Sequence, residues 1–549
     1  MINNRICCIL LLVIVSLQTV AQSFNHIIPQ PVEVQKLSAS NVRLTGNATV
    51  YFSPAFKQQA FYFSELFASQ TGITLAVKPF ELPEQQSLQN AIVLEHDSIS
   101  VNRPEMYRLA IRDAIVQMKA RDVRGIVNAI QTLLQLLPLQ KQSIVQFPAV
   151  MITDYPRFAY RGMHLDVVRH FFPVAYIKKY IDYLAFHKLN TFHWHLTDDQ
   201  GWRLPSERYP LLNSVGSWRD STLIGHFKDT PVKYDGQRYG GFYTGPEITE
   251  VLTYAAVRGI NVIPEIDVPG HARAIIAAYP QFSTKPDTAW RVATTWGMYN
   301  RQNNVLAPND STFAFLNDIF DELCDLFPST YIHIGGDECS RLWWKQDPRT
   351  QAFIKEKGLS NEAALQTFFS NFVASRLKTL GRKTIGWHEI ADGDLDTSAI
   401  IMNWANDAKA VEVARKGFSM VMTPGKPFYF DHYQSKDPKD SLAIHGYNPL
   451  EAVYNYRIVP EKLKMAGLEH KIIGGQANVW TEYIGSEAKV DYMVLPRMAA
   501  LSENLWSIEE RKSYKDFLRR LEANILPRYR LWGSTYFSLY RKWDVKKGG

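Results

Sequence analysis

Cysteine is nearly absent: four residues in a chain of 549, two of which, Cys7 and Cys8, lie in an apolar leader. The remaining pair, Cys324 and Cys339, is too few for a disulfide framework and is compatible with two free thiols. A long apolar run is also missing beyond the leader. Residues 6–17 follow Arg5, are too short for a comfortable membrane span, and lead into Thr19-Val20-Ala21 before Gln22. That is the pattern of an export signal over residues 1–21, without the small-residue context of a lipidated cysteine. The expectation is a secreted chain with no membrane span, in a bacterial periplasm given the scarcity of cysteine. Blocks of like charge are lacking too. Sixty-one Lys and Arg against 54 Asp and Glu give a formal net charge of +7 spread along the chain, with no nucleic-acid stripe. No internal repeat or low-complexity segment is visible.

What is present is enough for a large core: 46% hydrophobic and 21% charged residues, in a chain too long for one ordinary domain. The 13 Trp and 27 Tyr suit either that core or sugar stacking, and composition does not choose between them. Residues 22–154 read as a small α/β domain. Strands are expected at 48–52, 75–77 and 91–95, and a hairpin at 107–111 and 115–120. Asp122 can cap a helix whose apolar face is Val123, Val127, Ile130, Leu134 and Leu137. Pro148 and Asp154-Tyr155-Pro156 mark a boundary.

From Tyr160 the rhythm changes to short buried-looking strands alternating with longer helices. Strands are expected at 162–166, 191–196, 260–266, 331–334, 384–387, 400–404, 418–422 and 472–476. Helices fit at 173–187, 246–258, 312–326, 362–380 and 407–416. Eight such units predict a (β/α)8 TIM barrel over residues 155–510, with insertions at 200–245, 281–307 and 424–456. Residues 511–549 are expected to add a helical extension packed on the barrel.

Polar and aromatic residues gather at the C-terminal ends of these strands, the end that carries the active site in such barrels. They are Asp166 with Arg169, Asp198, Asp267 with His271, Asp337 with Glu338, Trp387 with Glu389, Trp404, and Trp480 with Glu482. The strongest piece is His333-Ile334-Gly335-Gly336-Asp337-Glu338. Two glycines allow a sharp turn, and two adjacent carboxylates can separate their pKa values so that one stays protonated as an acid. His193-Trp194-His195 with Asp198 and Asp199 opens a second reading, a metal-dependent barrel hydrolase that chelators would inactivate. A sugar-binding protein without catalysis is a third; the Asp337-Glu338 pair argues against it.

The motifs together are specific. Arg161-Gly162-Met163-His164-Leu165-Asp166-Val167-Val168-Arg169-His170 resembles the opening strand of family 20 glycoside hydrolases. The run 193–203, Pro264-Glu265-Ile266-Asp267-Val268-Pro269-Gly270-His271, Gly335 to Glu338 and Trp480-Thr481-Glu482 match in the family's order, and the N-terminal module resembles the α/β domain that precedes the barrel there. The resemblance implies an exo-acting β-N-acetylhexosaminidase that cleaves terminal β-linked N-acetylglucosamine or N-acetylgalactosamine with retention. The substrate's own acetamido oxygen would be the nucleophile. By position, Glu338 would be the general acid and base, and Asp337 would hold the acetamide N–H. Tyr429 would donate to the acetamide oxygen, and Trp387, Trp404 and Trp480 would wall the pocket. Arg169, Glu482 and Asp431 would bind hydroxyls, with Asp198 and His271 tuning Glu338 from behind. No cofactor and no metal is implied, the partner is a glycan, and homodimer formation through loop contacts is compatible with the family.

Overall fold

The computed structural model describes residues 24–80 and 88–543. The expected leader, with Cys7 and Cys8, lies outside them, as do the last residues of the extension, 544–549. Eight parallel strands close into a barrel in sequence order: Tyr160–Asp166, Thr191–His195, Asn261–Glu265, Tyr331–His333, Lys383–Trp387, Ile400–Asn403, Ser419–Met422 and Ile472–Ala477. The last strand pairs with the first, Tyr160 opposite Gly474 and Gly162 opposite Gln476. All eight lie at the expected positions, with nearly every residue buried, including the polar ones that point into the barrel. Helices Val174–Phe186, Gly245–Val257, Asp310–Leu326, Glu362–Thr379 and Asp407–Arg415 pack outside. Their starts are chemically marked. Thr244 and Glu247 form a reciprocal capping box, and Asn309, Asn361 and Asn406 accept first-turn N–H groups.

The N-terminal module is a seven-stranded mixed sheet running in the order Glu33–Lys36, Val150–Asp154, Tyr107–Arg112, Ile115–Ala120, Ala91–His96, Thr49–Phe52, Ala76–Pro79. The expected hairpin pairs Tyr107 with Ala120, and Asp122 caps its helix by accepting from the Gly125 N–H at 2.8 Å. Several elements were not expected from the sequence: helix Lys57–Thr71 and strands Glu33–Lys36, Val42–Thr45, Ile144–Phe147 and Val150–Asp154. Helix Lys57–Thr71 begins at Phe56 with no capping side chain, and strand Glu33–Lys36 is an edge strand with no apolar alternation. Cys324 and Cys339 are free and buried.

Module and barrel are fastened by buried polar groups. Lys188, fully buried just after a barrel helix and at φ +53°, donates to Asp154 Oδ2 and to the Tyr107 hydroxyl, both at 2.9 Å. The Trp506 indole N–H donates to the other Asp154 oxygen at 2.9 Å, and the Trp506 ring joins the module's apolar core. The C-terminal extension is more than a cover for the barrel. From helix Tyr514–Arg520, Arg520 grips the Glu503 carboxylate with two hydrogen bonds of 2.6 Å and reaches the Ile27 carbonyl. Farther on, Arg528 donates to the carbonyls of Gln135 and Leu137. The extension therefore clamps the module as well.

Removing one partner of a buried ion pair leaves the other uncompensated. Asp154→Asn is expected to destabilise the protein by about 3–5 kcal/mol in urea unfolding, whereas Asp154→Leu combined with Lys188→Met should recover most of that loss. A single-variant loss below about 1 kcal/mol would show that the seam is held by packing alone.

Candidate active site

The C-terminal ends of the barrel strands and the loops after them enclose a cavity of about 420 Å³. Arg169, Asp198, His271, Asp337, Glu338, Trp404, Tyr429, Asp431, Trp480 and Glu482 line it. Their chain positions span from the first strand to the last, so only barrel closure brings them together.

The turn after the fourth strand sets the two central carboxylates. Gly335 (φ +65°) and Gly336 (φ +92°) are obligatory: a Cβ at Gly335 would lie 1.9 Å from Asp267 Oδ1, and one at Gly336 2.3 Å from the Ile390 Cγ2 methyl. Glu338 follows at φ +42°, a left-handed conformation that costs a non-glycine residue on the order of 1–3 kcal/mol and is met mostly at functional sites. It leaves 48% of the Glu338 side chain open to the cavity. His271, also left-handed at φ +47°, faces both acids, with Nε2 at 3.7 Å from Glu338 and 3.9 Å from Asp337. Behind it, His271 Nδ1 donates to Asp198 Oδ1 at 3.1 Å. Burial opposes a charge on His271, but Asp198 and Asp267 outweigh it and hold its pKa well above the usual imidazole range. Glu338 is raised by its enclosed position, with Asp337 and Asp198 adding to burial while His271 and Arg169 pull the other way. The arrangement raises the proton affinity of Glu338 and stands the His271 ring behind it. Asp267, to which the sequence reading gave no role, accepts the Gly336 N–H at 3.0 Å. Burial and the neighbouring Asp337 raise its pKa well above the carboxylate range.

The floor is organised by Glu265, also without an assigned role from the sequence. Its buried carboxylate accepts the Trp387 indole N–H at 2.9 Å and lies 2.9 Å from His333 Nδ1, 3.0 Å from His193 Nε2 and 2.5 Å from His195 Nδ1. Burial opposes its charge, but the three histidines outweigh it and hold its pKa well below the usual value. The second nitrogen of His195 is 3.0 Å from Asp198 Oδ2. Against the cost of burial, Glu265 and Asp198 push the pKa of His195 up to about 10. The metal reading needed His193 and His195 to offer lone pairs beside the cavity. Neither lines it, and both nitrogens of His195 face carboxylates.

Trp387 departs from the expected wall. It is fully buried under the cavity, its N–H taken by Glu265 and its ring centred 4.7 Å from His333 and 5.8 Å from Trp480. Trp404 and Trp480 do line the cavity. Tyr429 joins them because its loop lies against the last strand, with Phe430 N–H donating to the Asn478 carbonyl at 2.7 Å. Burial, Asp337 and Asp431 keep Tyr429 a neutral phenol and so a donor. Arg169 is fixed by Asp198 at 2.7 Å, Asp166 at 3.2 Å and Gln200 at 2.8 Å, with Glu482 at 3.9 Å. Asp337 Oδ1, Asp431 Oδ1 and Glu482 Oε2 are buried and accept no hydrogen bond among the described residues. Three such acceptors around one cavity suit a ligand rich in O–H and N–H donors.

Residues 158–509 match the catalytic domain of glycosyl hydrolase family 20, and residues 25–155 match domain 2 of that family. A β-hexosaminidase of Porphyromonas gingivalis is 37% identical over 93% of this chain, and one of Vibrio furnissii is 38% identical over 72%. The matched region spans 64% of the length of each of those relatives. Among solved structures, a Vibrio harveyi exo-β-N-acetylglucosaminidase in complex with N-acetylglucosamine superposes with a TM-score of 0.82 at 31% identity, covering 94% of this chain and 78% of that one. A Bacteroides fragilis β-N-acetylhexosaminidase superposes with a TM-score of 0.78 at 30% identity, covering 95% and 99%.

Glu389 accepts the Trp404 indole N–H at 3.2 Å, and burial, followed by Asp337, pushes its pKa up to about 8. The folded protein thus keeps a proton that the unfolded chain releases above its usual 4.5. Stability from this group is present at low pH and lost as pH rises through 8, by about 1.4 kcal/mol per pH unit between the two values. Glu389→Gln should therefore match the parent in thermal and urea unfolding near pH 5 and exceed it near pH 9 by on the order of 2–4 kcal/mol. Equal differences at both pH values would contradict a protonated Glu389.

Proposed function

Because the chain belongs to glycosyl hydrolase family 20, we propose that it removes β-linked N-acetylglucosamine or N-acetylgalactosamine from the non-reducing ends of glycans, with retention and without an enzyme nucleophile. The observation that carries this reading is the adjacent pair Asp337 and Glu338 in one cavity, with His271 facing both, a buried Asp337 oxygen free of hydrogen-bond partners among the described residues, and the Glu338 side chain open to the cavity. The acetamido oxygen of the bound sugar attacks its own anomeric carbon as Glu338 protonates the departing oxygen. The bond to the leaving sugar breaks, and an oxazolinium ion forms. Asp337 accepts the acetamide N–H and balances the positive charge, while the Tyr429 phenol donates to the acetamide oxygen. Water then adds to the anomeric carbon, giving its proton to the Glu338 carboxylate, while the bond from that carbon to the acetamide oxygen breaks and restores the neutral amide. The Trp404 and Trp480 rings shield the cation from other nucleophiles. Arg169, Asp431 and Glu482 hold the hydroxyls of one terminal residue, which gives an exo-acting enzyme. Export behind the leader is part of the same proposal, and N-terminal sequencing of the mature protein should begin at Gln22.

The two carboxylates should fail differently. A sugar leaving group needs a proton, whereas nitrophenolate departs almost unaided. Glu338→Gln is expected to lower kcat/KM on a natural disaccharide by on the order of 10²–10⁴-fold and far less on a nitrophenyl β-N-acetylglucosaminide. Asp337→Asn should slow both alike, because the acetamide is the nucleophile whatever the leaving group. The matching β-glucoside should be a very poor substrate, and exhaustive EDTA treatment should leave the rate unchanged. Reversed behaviour of the two variants would exchange their roles, and comparable rates on the glucoside would end the acetamide mechanism.

A further inference from the structure

Trp296, from the second insertion, lines the cavity and is 4% exposed. Its indole N–H is buried and has no hydrogen-bond partner among the described residues. A buried indole N–H ordinarily finds an acceptor. The backbone just before this residue is laced down. The Ala293 N–H donates to the Asp199 carbonyl at 3.0 Å, the Leu223 N–H to the Thr294 carbonyl at 3.0 Å, and the Gln200 side-chain amide to the Thr295 carbonyl at 2.8 Å. Gln200 also accepts from Arg169 Nε, so the Trp296 loop and the Arg169 guanidinium share one anchor. Other side chains bracket the indole ring. The Arg219 guanidinium lies 5.5 Å from its centre and donates to the Arg169 carbonyl at 2.8 Å. The rings of His170 and Tyr483 are centred 6.0 Å and 6.5 Å away, and the His170 N–H donates to Thr481 Oγ1 at 3.1 Å, next to Glu482. Trp296 is thereby fixed on the side of the cavity that carries Arg169 and Glu482.

That side also holds Glu482 Oε2, a buried acceptor without a partner among the described residues. A donor and an acceptor left over on one side of a cavity complement a hydroxyl, which donates once and accepts twice. Arg169 is already engaged by Gln200, Asp166 and Asp198. We propose that the Trp296 indole N–H reads one hydroxyl of the terminal N-acetylhexosamine. That hydroxyl gives its proton to Glu482 and accepts from Trp296. A substituent on the same oxygen removes the proton and leaves a buried Glu482 oxygen unpaired, so the sugar must carry this hydroxyl free. Trp296 is then a specificity-determining residue for the terminal sugar. This inference rests on the activity proposed above.

The test measures kcat/KM for the parent and for Trp296→Phe, which keeps an aromatic ring and loses the N–H. The substrates are nitrophenyl β-N-acetylglucosaminide and its 3-, 4- and 6-deoxy analogues. Trp296→Phe should lose about three- to tenfold on the complete substrate, the scale of one neutral hydrogen bond. On one deoxy analogue the loss should shrink below about twofold, because the oxygen that the N–H meets is gone, and on the other two it should persist in full. Trp296→Met, an adaptable filler that also lacks a donor, repeats the comparison where the Phe variant does not fold. A loss that does not single out one analogue would reduce Trp296 to a packing residue, and no loss on the complete substrate would leave its N–H outside sugar binding. Either result overturns the inference while the parent still cleaves the complete substrate. Failure of the parent on that substrate would instead bring down the proposed activity, and the inference with it.

Discussion

One buried carboxylate sets the interior of this barrel. Glu265 ends the third strand, and around it stand His193 and His195 from the second strand, His333 from the fourth and Trp387 from the fifth. A barrel interior is ordinarily filled by branched apolar side chains, which tolerate small shifts. A charge removed from water tolerates very little, since it must be met by donors at hydrogen-bond distance or the carboxylate will not stay ionised. Meeting that demand aligns four strand ends with one another. His195 carries the constraint upward to Asp198, and Asp198 in turn holds both Arg169 and His271. The positions of the groups around the cavity thus descend from a charge that lies below its floor.

The same logic runs through the rest of the molecule at lower intensity. Where module, barrel and extension meet, charged groups stand at the joints: Lys188 with Asp154, Arg161 with Glu105, Arg520 with Glu503. Apolar burial supplies the bulk of the free energy, but it is indifferent to register. Directional bonds to buried charges decide which of many similar packings is adopted, and the residues that make them come from distant parts of the chain.

Much of this was legible in the sequence, for identifiable reasons. Each barrel strand is a short stretch of largely buried residues set between longer amphipathic helices, a rhythm that shows in the sequence. Gly335-Gly336 before Asp337-Glu338 stands out because a backbone that must pass within contact of Asp267 and Ile390 admits no side chain. What stayed hidden depends on partners far away in the chain. Glu265 looks like any acid in a motif until rings from three other strands surround it. Trp387 looks like a wall residue, and only the claim of Glu265 on its N–H takes it beneath the floor. Asp267 draws its significance from Asp337, His271 and the Gly336 N–H, and helix Lys57–Thr71 carries no capping residue to announce it.

The pairing of the last barrel strand with the first has a consequence for how the chain comes into being. Asp166, which helps hold Arg169, takes the N–H of Thr481, and its own N–H goes to the Val479 carbonyl. A growing chain cannot make these contacts until nearly all of the barrel has been synthesised. Topologies dominated by such distant pairings fold slowly. The closing seam of the barrel, and with it the grip on Arg169, is therefore among the last features the chain can form.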